Sequence, residues 1–261
     1  MKRALTGSSY KTLAVLRQFS DQAAEFGVTD LSQLTGIDKA SVFRALRALA
    51  AYRFVEQNPL TKKYHLGFAV LELAGAKLGH MPLVSAAKSH LAKLAQQTGE
   101  TVQMSVLDQD CVLYISVIES PQPIRVSLGV GTRAPLYCTA AGLVLLANAS
   151  TSTQDLILSR PLKKFTPRTI VEVSQLKRQL SLVRNRGWSE DDQGFVDHLR
   201  VVAAPVREPN GNVISAVAVG GPTIRVTREK LKGFSGLVVA TATAISQDLA
   251  SRVQNPNATA S

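Results

Sequence analysis

The chain has 261 residues, of which 45% are hydrophobic and 19% are charged, and its formal net charge is +11. This length accommodates two domains of ordinary size, and the composition is typical of a globular protein rather than of a disordered chain. No apolar run reaches the roughly 18 residues of a membrane span, and no apolar signal-peptide core is seen at the N-terminus. The two cysteines, Cys111 and Cys138, do not suggest a disulfide framework, so a cytoplasmic location is expected.

Two helices are predicted before the most basic part of the chain. Residues 8–24 form the first, and a shorter one lies between an N-cap at Thr29 or Asp30 and a break at Gly36. The side chains expected to face a common core are Tyr10, Leu13, Leu16, Leu31 and Leu34. These helices would complete a three-helix core with the helix that follows.

The third helix is predicted to begin after Asp38, a favourable N-cap, and to run to about Ala51. Its apolar face consists of Val42, Ala45, Leu46 and Leu49. The candidate DNA-contacting residues on the other sides of the helix are Lys39, Ala40, Ser41, Phe43, Arg44 and Arg47. Two helices joined by a tight glycine-containing turn predict a helix-turn-helix, whose second helix enters the major groove.

A small hairpin follows this helix. Residues 54–57 and 63–66 predict two strands, and Lys62 and Lys63 lie at the turn, where they suit phosphate contact. Residues 39–63 hold six basic residues and one acidic residue, a net charge of +5 that equals that of the first 80 residues. This concentration favours a winged helix that binds double-stranded DNA over a generic three-helix core with a solvated basic face.

The rest of the chain predicts an α+β domain. We expect a winged helix-turn-helix at 1–66, a linker helix at 67–80, a second domain at 81–253 and a disordered tail at 254–261. The predicted strands of the second domain are residues 101–107, 111–118, 124–128, 200–207 and 212–219, and its predicted helices include 82–97, 140–147, 153–158, 172–186 and one that begins at Thr227. Hairpin-connected strands with helices at both ends favour a mostly antiparallel sheet. The linker stripe of Leu66, Val70 and Leu73 would pack on its own domain or on a second subunit.

Motifs for catalysis or metal binding are lacking in the sequence. The four histidines are scattered, no metal-ligand spacing occurs, and no nucleophile motif is found. The acidic cluster at 190–192 is the one candidate for acid–base chemistry. We therefore expect no cofactor, no metal and no enzymatic activity. The alternatives to a DNA-binding regulator that responds to a ligand are an enzyme with a DNA-binding appendage and a regulator that needs no ligand.

Several segments resemble the isocitrate lyase regulator (IclR) family of bacterial transcription factors. The recognition helix carries Ser41-Val-Phe-Arg44-Ala-Leu46, and the wing ends in Tyr64-His-Leu66-Gly67. The similar segments downstream are residues 133–147, which match the family's PLHATALGKALLA pattern, and residues 187–192, 199–206 and 217–222. The resemblance implies a GAF/profilin-like effector domain with flanking helices, a small organic acid as effector, and homodimers that associate into tetramers.

The resemblance also implies a ligand site. Its residues in this chain are Ala140, Ala141, Asp191, Leu199, Val201, Ala218 and Gly220. The first two correspond to main-chain donors at a helix start, and Asp191 is the side chain that matches the family most clearly. Val201, Ala218 and Gly220 stand where glyoxylate- and pyruvate-type members carry Cys, Ser and Ser, and the glycine would free volume. We therefore expect a bulky organic acid, such as a hydroxybenzoate, with a neutral ligand held by Asp191 as the alternative.

Overall fold

The computed structural model describes residues 7–20 and 25–254. The chain forms two compact units that divide between His80 and Met81. Residues 21–24 of the predicted first helix and 255–261 of the predicted tail lie outside the described part of the chain. Gln254, which the prediction assigned to the tail, is the last residue of a helix.

The first unit contains four α-helices and a two-stranded hairpin among its described residues. In chain order these are α1 (Ser8–Leu16), continued by a 3-10 turn (Arg17–Ser20), α2 (Val28–Thr35), α3 (Lys39–Ala51), β1 (Val55–Gln57), β2 (Tyr64–Leu66) and α4 (Ala69–Gly79). The core of this unit is made by Val15, Phe19, Phe26, Leu31, Val42, Ala45, Leu46, Leu49, Val55 and Tyr64. Because α3 buries the apolar face that the sequence predicts, its basic face remains in solvent.

The inward faces of the first two helices differ from the prediction. Tyr10 and Leu13 are 50% and 61% exposed, whereas Val15 is fully buried. Both exposed residues lie within α1, and the side of α1 that packs against α3 is the one that carries Val15. In α2, Leu31 is buried but Leu34 in the last turn is exposed.

The start of α2 also differs from the prediction. The N-cap is Gly27 rather than Thr29 or Asp30. Asp30 lies three residues into the turn, and its carboxylate accepts a hydrogen bond of 2.9 Å from the backbone N–H of Gly27. An acidic side chain at this position satisfies an unpaired amide as an N-cap would, which is why the sequence signal was ambiguous.

Gly67, which closes the wing motif, has a steric role. Its N–H donates to the carbonyl of Phe54 at 2.9 Å, which ties the end of β2 to the start of the hairpin. A Cβ at this position would overlap the carbonyl oxygen of Arg53. Only glycine allows the two backbone segments to approach this closely.

The second unit is built on a six-stranded antiparallel sheet with strand order β5-β4-β3-β8-β7-β6. Its elements are α5 (Pro82–Thr98), β3 (Thr101–Asp108), β4 (Cys111–Ile118), β5 (Arg133–Pro135), α6 (Ala140–Asn148), α7 (Thr151–Leu158), α8 (Val173–Arg186), β6 (Ser189–Asp192), β7 (Leu199–Arg207), β8 (Val213–Pro222) and α9 (Arg228–Gln254). α9 packs against β7 and α5. On the sheet, Tyr114, Val201, Ala203 and Ala218 share a core with α6 and α8. The fold class is therefore α+β, as predicted.

The prediction of a strand at 124–128 is wrong. This segment is irregular, because its carbonyl groups are taken by side chains: Arg225 donates to Ile124 at 2.8 Å and Thr101 donates to Val126 at 2.9 Å. The sheet instead uses two short strands that the sequence did not indicate, β5 and β6. At three and four residues they are too short and too polar to show an apolar alternation.

Candidate nucleic-acid interface and ligand cavity

The recognition helix α3 presents a basic, solvent-exposed face. The exposed residues on it are Lys39, Ala40, Phe43, Arg44 and Arg47. Asp38 caps the helix by accepting a 2.8 Å hydrogen bond from the N–H of Ser41. That backbone bond, a second bond involving the Ser41 side chain and the nearby Lys11 lower the pKa of Asp38 to about 2. The cap therefore stays ionised, and it fixes the start of the helix where the cations lie.

Ser41 does not face outward as expected, because it is only 6% exposed. Its Oγ accepts hydrogen bonds from Lys11 Nζ at 3.0 Å and from Arg44 Nη2 at 2.9 Å. Ser41 therefore holds Arg44 in position. Lys11 on α1 is a further cation beside this face, which the sequence did not single out because it lies 30 residues away.

The wing is held by an acidic side chain that the sequence analysis missed. Glu25 accepts hydrogen bonds from Asn58 Nδ2 at 2.8 Å and from Thr61 Oγ1 at 3.0 Å, and these bonds lower its pKa. Lys62 follows with a left-handed φ of 58°, and both Lys62 and Lys63 are exposed. The turn is thus fixed and its two lysines point into solvent. Their contact with DNA, like that of α3, stays a prediction.

A cavity of about 250 Å³ lies in the second unit, between the sheet and the start of α6. The residues that line it are Gln103, Tyr114, Val126, Ser127, Leu128, Thr132, Arg133, Ala134, Thr139, Ala140, Ala141, Phe195, Val196, Leu199 and Val201. Four of the seven predicted ligand-site residues are in this set. Most of the wall is apolar, which is typical of a small-molecule site with few orienting polar groups.

The start of α6 supplies hydrogen-bond donors to this cavity. Thr139 caps the helix by accepting from Gly142 N at 3.1 Å, and its hydroxyl donates to Pro135 O at 2.8 Å. The N–H groups of Ala140 and Ala141 have no acceptor within the described part of the chain. Free amides at a helix N-terminus favour an anion. By contrast, the charge of Arg133 on the same wall is balanced by Asp108 at 2.6 Å.

Two further polar side chains in the cavity were not singled out from the sequence. Gln103 is 5% exposed, and its Oε1 has no hydrogen-bond partner among the described residues. Burial raises the pKa of Tyr114 to about 12, so its phenol is neutral. The signal was present in the sequence: Val102, Met104 and Val106 form the apolar side of β3, which turns Gln103 to the opposite face.

Asp191 does not line this cavity. It is on the wall of a neighbouring cavity of about 240 Å³, with Cys138, Arg168 and Gly194 among the other lining residues. Burial raises the pKa of Asp191 to about 7, although backbone N–H groups of Gly194 and Phe195 donate to it. The predicted wall residue therefore fixes the backbone of a loop.

That loop, residues 193–198, carries Phe195 and Val196 into the ligand cavity. Besides its bond to Asp191, it is held by two threonine hydroxyls. Thr166 donates to Gln193 O at 2.7 Å, and Thr169 donates to Gly194 O at 2.6 Å. Asp191 thus shapes one wall of the ligand cavity through the loop that it holds.

The other predicted positions give a mixed result. Leu199 and Val201 line the cavity, whereas Ala218 is fully buried in the core beneath α6. Gly220 is paired with Val201 in the sheet, and a Cβ at Gly220 would overlap the Val201 side chain and the carbonyl of Arg200. The expectation that this glycine frees volume for a ligand is therefore wrong, because the Val201 side chain fills the space.

The acidic cluster is a structural network. Arg168 and Arg228 each contact Asp192 at 2.9 Å, and Arg200 contacts it at 2.7 Å. Burial opposes ionisation of Asp192, but hydrogen bonds from Gln193, Arg200 and Arg228 hold its pKa at about 2. Asp192 is therefore an anchor for three arginines and is poorly suited to proton transfer.

The described residues contain neither a cluster of metal ligands nor a membrane-spanning helix. Three or more His, Cys, Asp or Glu side chains do not come together there in a way that could hold a metal ion. None of the helices described is both long and apolar enough to cross a lipid bilayer.

A winged helix-turn-helix and a separate antiparallel sheet domain with a ligand-sized cavity define a class of DNA-binding transcriptional regulators with an effector domain. Residues 10–59 match the IclR helix-turn-helix domain, and residues 75–247 match the bacterial transcriptional regulator IclR C-terminal domain. The chain belongs to the IclR family of transcriptional regulators. These domains and relatives are regulators and not enzymes.

Individual relatives agree with this assignment. The HTH-type transcriptional regulator KdgR of Escherichia coli K12 is 31% identical, with 93% of this chain and 92% of that protein covered. An IclR transcriptional regulator from Alicyclobacillus acidocaldarius has a TM-score of 0.85 at 25% identity, with 94% and 99% of the two chains covered. An IclR homologue from Microbacterium hydrocarbonoxydans, solved with 4-hydroxybenzoate, has a TM-score of 0.83 at 22% identity, with 94% and 100% covered.

Proposed function

We propose that this chain is a regulator that binds a paired operator site through α3 and the wing, and that a small organic acid in the α6 cavity changes its operator affinity. The observation that carries the proposal is the pair of free amides at Ala140 and Ala141, which open into a largely apolar cavity. A carboxylate there would satisfy both donors and meet the positive end of the helix dipole.

The walls favour an acid with an apolar body over glyoxylate or pyruvate. Phe195, Leu199 and Val201 offer apolar surface, and each Å² that a ligand buries contributes on the order of 25 cal/mol. The relative solved with 4-hydroxybenzoate has the same fold, which makes a hydroxybenzoate a suitable first probe. The preference rests on the apolar walls alone, since the Gly220 position contributes no space.

We also propose that the functional form is a cytoplasmic homodimer, which in turn forms a dimer of dimers. α4 exposes large apolar side chains to solvent, with Leu71 at 65% and Leu73 at 59% exposed, together with Phe68 just before the helix. Large apolar side chains exposed together on one short helix favour association with a second subunit. A dimer would present two recognition helices to a paired site, and ligand binding would act through their spacing.

The test is a melting-temperature screen of the full chain against benzoate, hydroxybenzoates, glyoxylate and pyruvate. A ligand that binds only the folded state raises the melting temperature, by an amount that grows with its concentration above Kd. We expect the aromatic acids to stabilise the protein more than glyoxylate does. Tight glyoxylate binding without a response to aromatic acids would contradict the ligand class, and no response to any acid would favour a regulator that needs no ligand.

A further inference from the structure

The ligand cavity contains a second recognition point besides the start of α6. It is formed by Gln103 on β3 and Tyr114 on β4. Ser105 is two residues from Gln103 and directly opposite Tyr114 in the strand ladder, so all three side chains lie on the same face of the sheet. Of the three, Gln103 and Tyr114 line the cavity, so they bring two polar side chains to a largely apolar wall.

The side-chain oxygen of Gln103 lacks a hydrogen-bond partner in the part of the chain that the structure describes. The Gln103 side chain is buried, it lines the cavity, and its Oε1 has no donor within hydrogen-bond distance among the described residues. As the amide is oriented in the structure, its buried end is the oxygen, which is an acceptor that needs a donor. Burying such a group unpaired lowers stability, and unpaired buried groups in native proteins are rare outside functional sites.

The chemistry of this group selects its partner. A carboxylate is an acceptor only, so it cannot satisfy the amide oxygen of Gln103. A hydroxyl group can donate to that oxygen and also accept from a neighbouring donor. The Tyr114 phenol can be such a donor, because burial keeps it neutral and its hydroxyl donates no hydrogen bond to another group in the described part of the chain.

We propose that Gln103, with Tyr114, is a specificity-determining residue that recognises a hydroxyl group of the effector, so the natural effector is a hydroxy acid rather than a simple carboxylic acid. This inference rests on the proposed function of the cavity. The carboxylate occupies the α6 amides, and the hydroxyl donates to the Gln103 amide oxygen. An acid that lacks the hydroxyl leaves Gln103 unpaired and binds more weakly.

The experiment compares matched acids by calorimetry with the full chain. The pairs are benzoate with 3- and 4-hydroxybenzoate, propionate with lactate, and butyrate with 3-hydroxybutyrate. For at least one pair, the hydroxylated member is expected to bind wild-type protein roughly 10-fold tighter or more, as for a buried hydrogen bond gained. In Gln103→Met this preference should disappear while the acid without the hydroxyl keeps its affinity.

Two controls separate recognition from folding. Gln103→Met removes an unpaired buried amide and keeps the side-chain length, so its melting temperature without ligand should equal or exceed that of wild type. Gln122→Met makes the same change at an exposed loop position outside the cavity and should keep the hydroxyl preference.

Each other outcome has a defined meaning. Equal affinity of both members of every pair for wild-type protein overturns the inference and leaves the proposed function standing. A hydroxyl preference that survives in Gln103→Met also overturns it. If no acid in the panel binds, the proposed function falls together with the inference.

Discussion

We expect operator binding to depend most on Arg44, because its guanidinium lies on the exposed face of α3, where it donates to Ser41 Oγ at 2.9 Å. Arg44→Ala should weaken operator binding by about 1–3 kcal/mol if the guanidinium reads a base edge. Ser41→Ala should cause a smaller loss, because it frees Arg44 without removing charge. Arg178→Ala, at an exposed arginine on α8 in the other unit, is the control. Fluorescence anisotropy with a labelled operator measures all three, and wild-type affinity in Arg44→Ala would remove this residue from the interface.

Asp191 should impose a pH dependence on stability. Its pKa is about 7 in the folded protein, against 3.8 for an ordinary aspartate, because burial disfavours the charge. The folded state therefore holds a proton that the unfolded state has lost between these values. Protonated Asp191 therefore contributes to the free energy of unfolding. This contribution is fully present below pH 3.8 and is lost as the pH rises through 7.

Substitution of Asp191 by asparagine tests this dependence. Asparagine can still accept from the loop amides but does not ionise, so the wild-type free energy of unfolding should fall relative to that of Asp191→Asn between about pH 4 and pH 8. Urea unfolding across this range measures the difference, with Asp155→Asn, an exposed aspartate on α7, as the control. If the free energies of unfolding of wild type and Asp191→Asn change in parallel with pH, the pKa of Asp191 is not raised in the folded protein.

Among the elements, the wing depends on a close backbone contact at Gly67. Gly67→Ala should lower the free energy of unfolding by about 2 kcal/mol or more, because its Cβ overlaps the Arg53 carbonyl. Gly75 offers a matched control on α4, where a Cβ meets nothing within 4 Å. Gly75→Ala should stabilise the helix by roughly 0.5–1 kcal/mol. Equal effects of the two alanines in thermal unfolding would refute the steric role of Gly67.

The wing tip should act through phosphate contacts. Replacing both Lys62 and Lys63 by alanine should weaken specific and nonspecific DNA binding alike, and it should reduce the slope of log K against log salt by about one per lost contact. Lys163 and Lys164, another exposed adjacent pair, provide a matched double variant in the other unit. A salt titration that gives the wing variant the slope of this control would show that the wing tip remains in solvent.

The elements also show what the sequence could reveal. α3 was predictable because its cap, its apolar period and its length agree, and the β7–β8 hairpin was predictable because Asn210-Gly211 favours a tight turn. The inward face of α1 and the segment 124–128 were not. The first depends on which side of α1 packs against α3, and the second on side-chain hydrogen bonds from distant residues, neither of which a local pattern contains.

The ligand site shows the same limit. Ala140 and Ala141 were identified because a helix start is local, and the resemblance located it. Asp191 lies on the wall of a neighbouring cavity, so its role in ligand binding stays a prediction. The Gly220 position proved to be filled by Val201, which depends on how neighbouring strands pack. Gln103 was within reach of the sequence through the alternation of β3, but its unpaired state became visible only in the folded chain.

A regulator of the proposed kind must couple ligand binding by the second unit to DNA binding by the first. A ligand changes operator affinity only if it binds the DNA-competent and DNA-incompetent states with different affinities. Couplings of this kind typically amount to about 1–3 kcal/mol, or roughly 5- to 150-fold in affinity. The linkage is reciprocal, so operator DNA must change the affinity for the acid by the same factor.

The most direct measurement is operator affinity of the full chain, with and without a saturating concentration of the acid that raises its melting temperature most. We expect two chains to bind each operator, and we expect the acid to change the operator affinity by at least about 5-fold. Alanine replacement of Arg44 should weaken DNA binding and leave acid binding unchanged. An operator affinity that stays the same when the cavity is occupied would contradict the proposal that the acid regulates DNA binding.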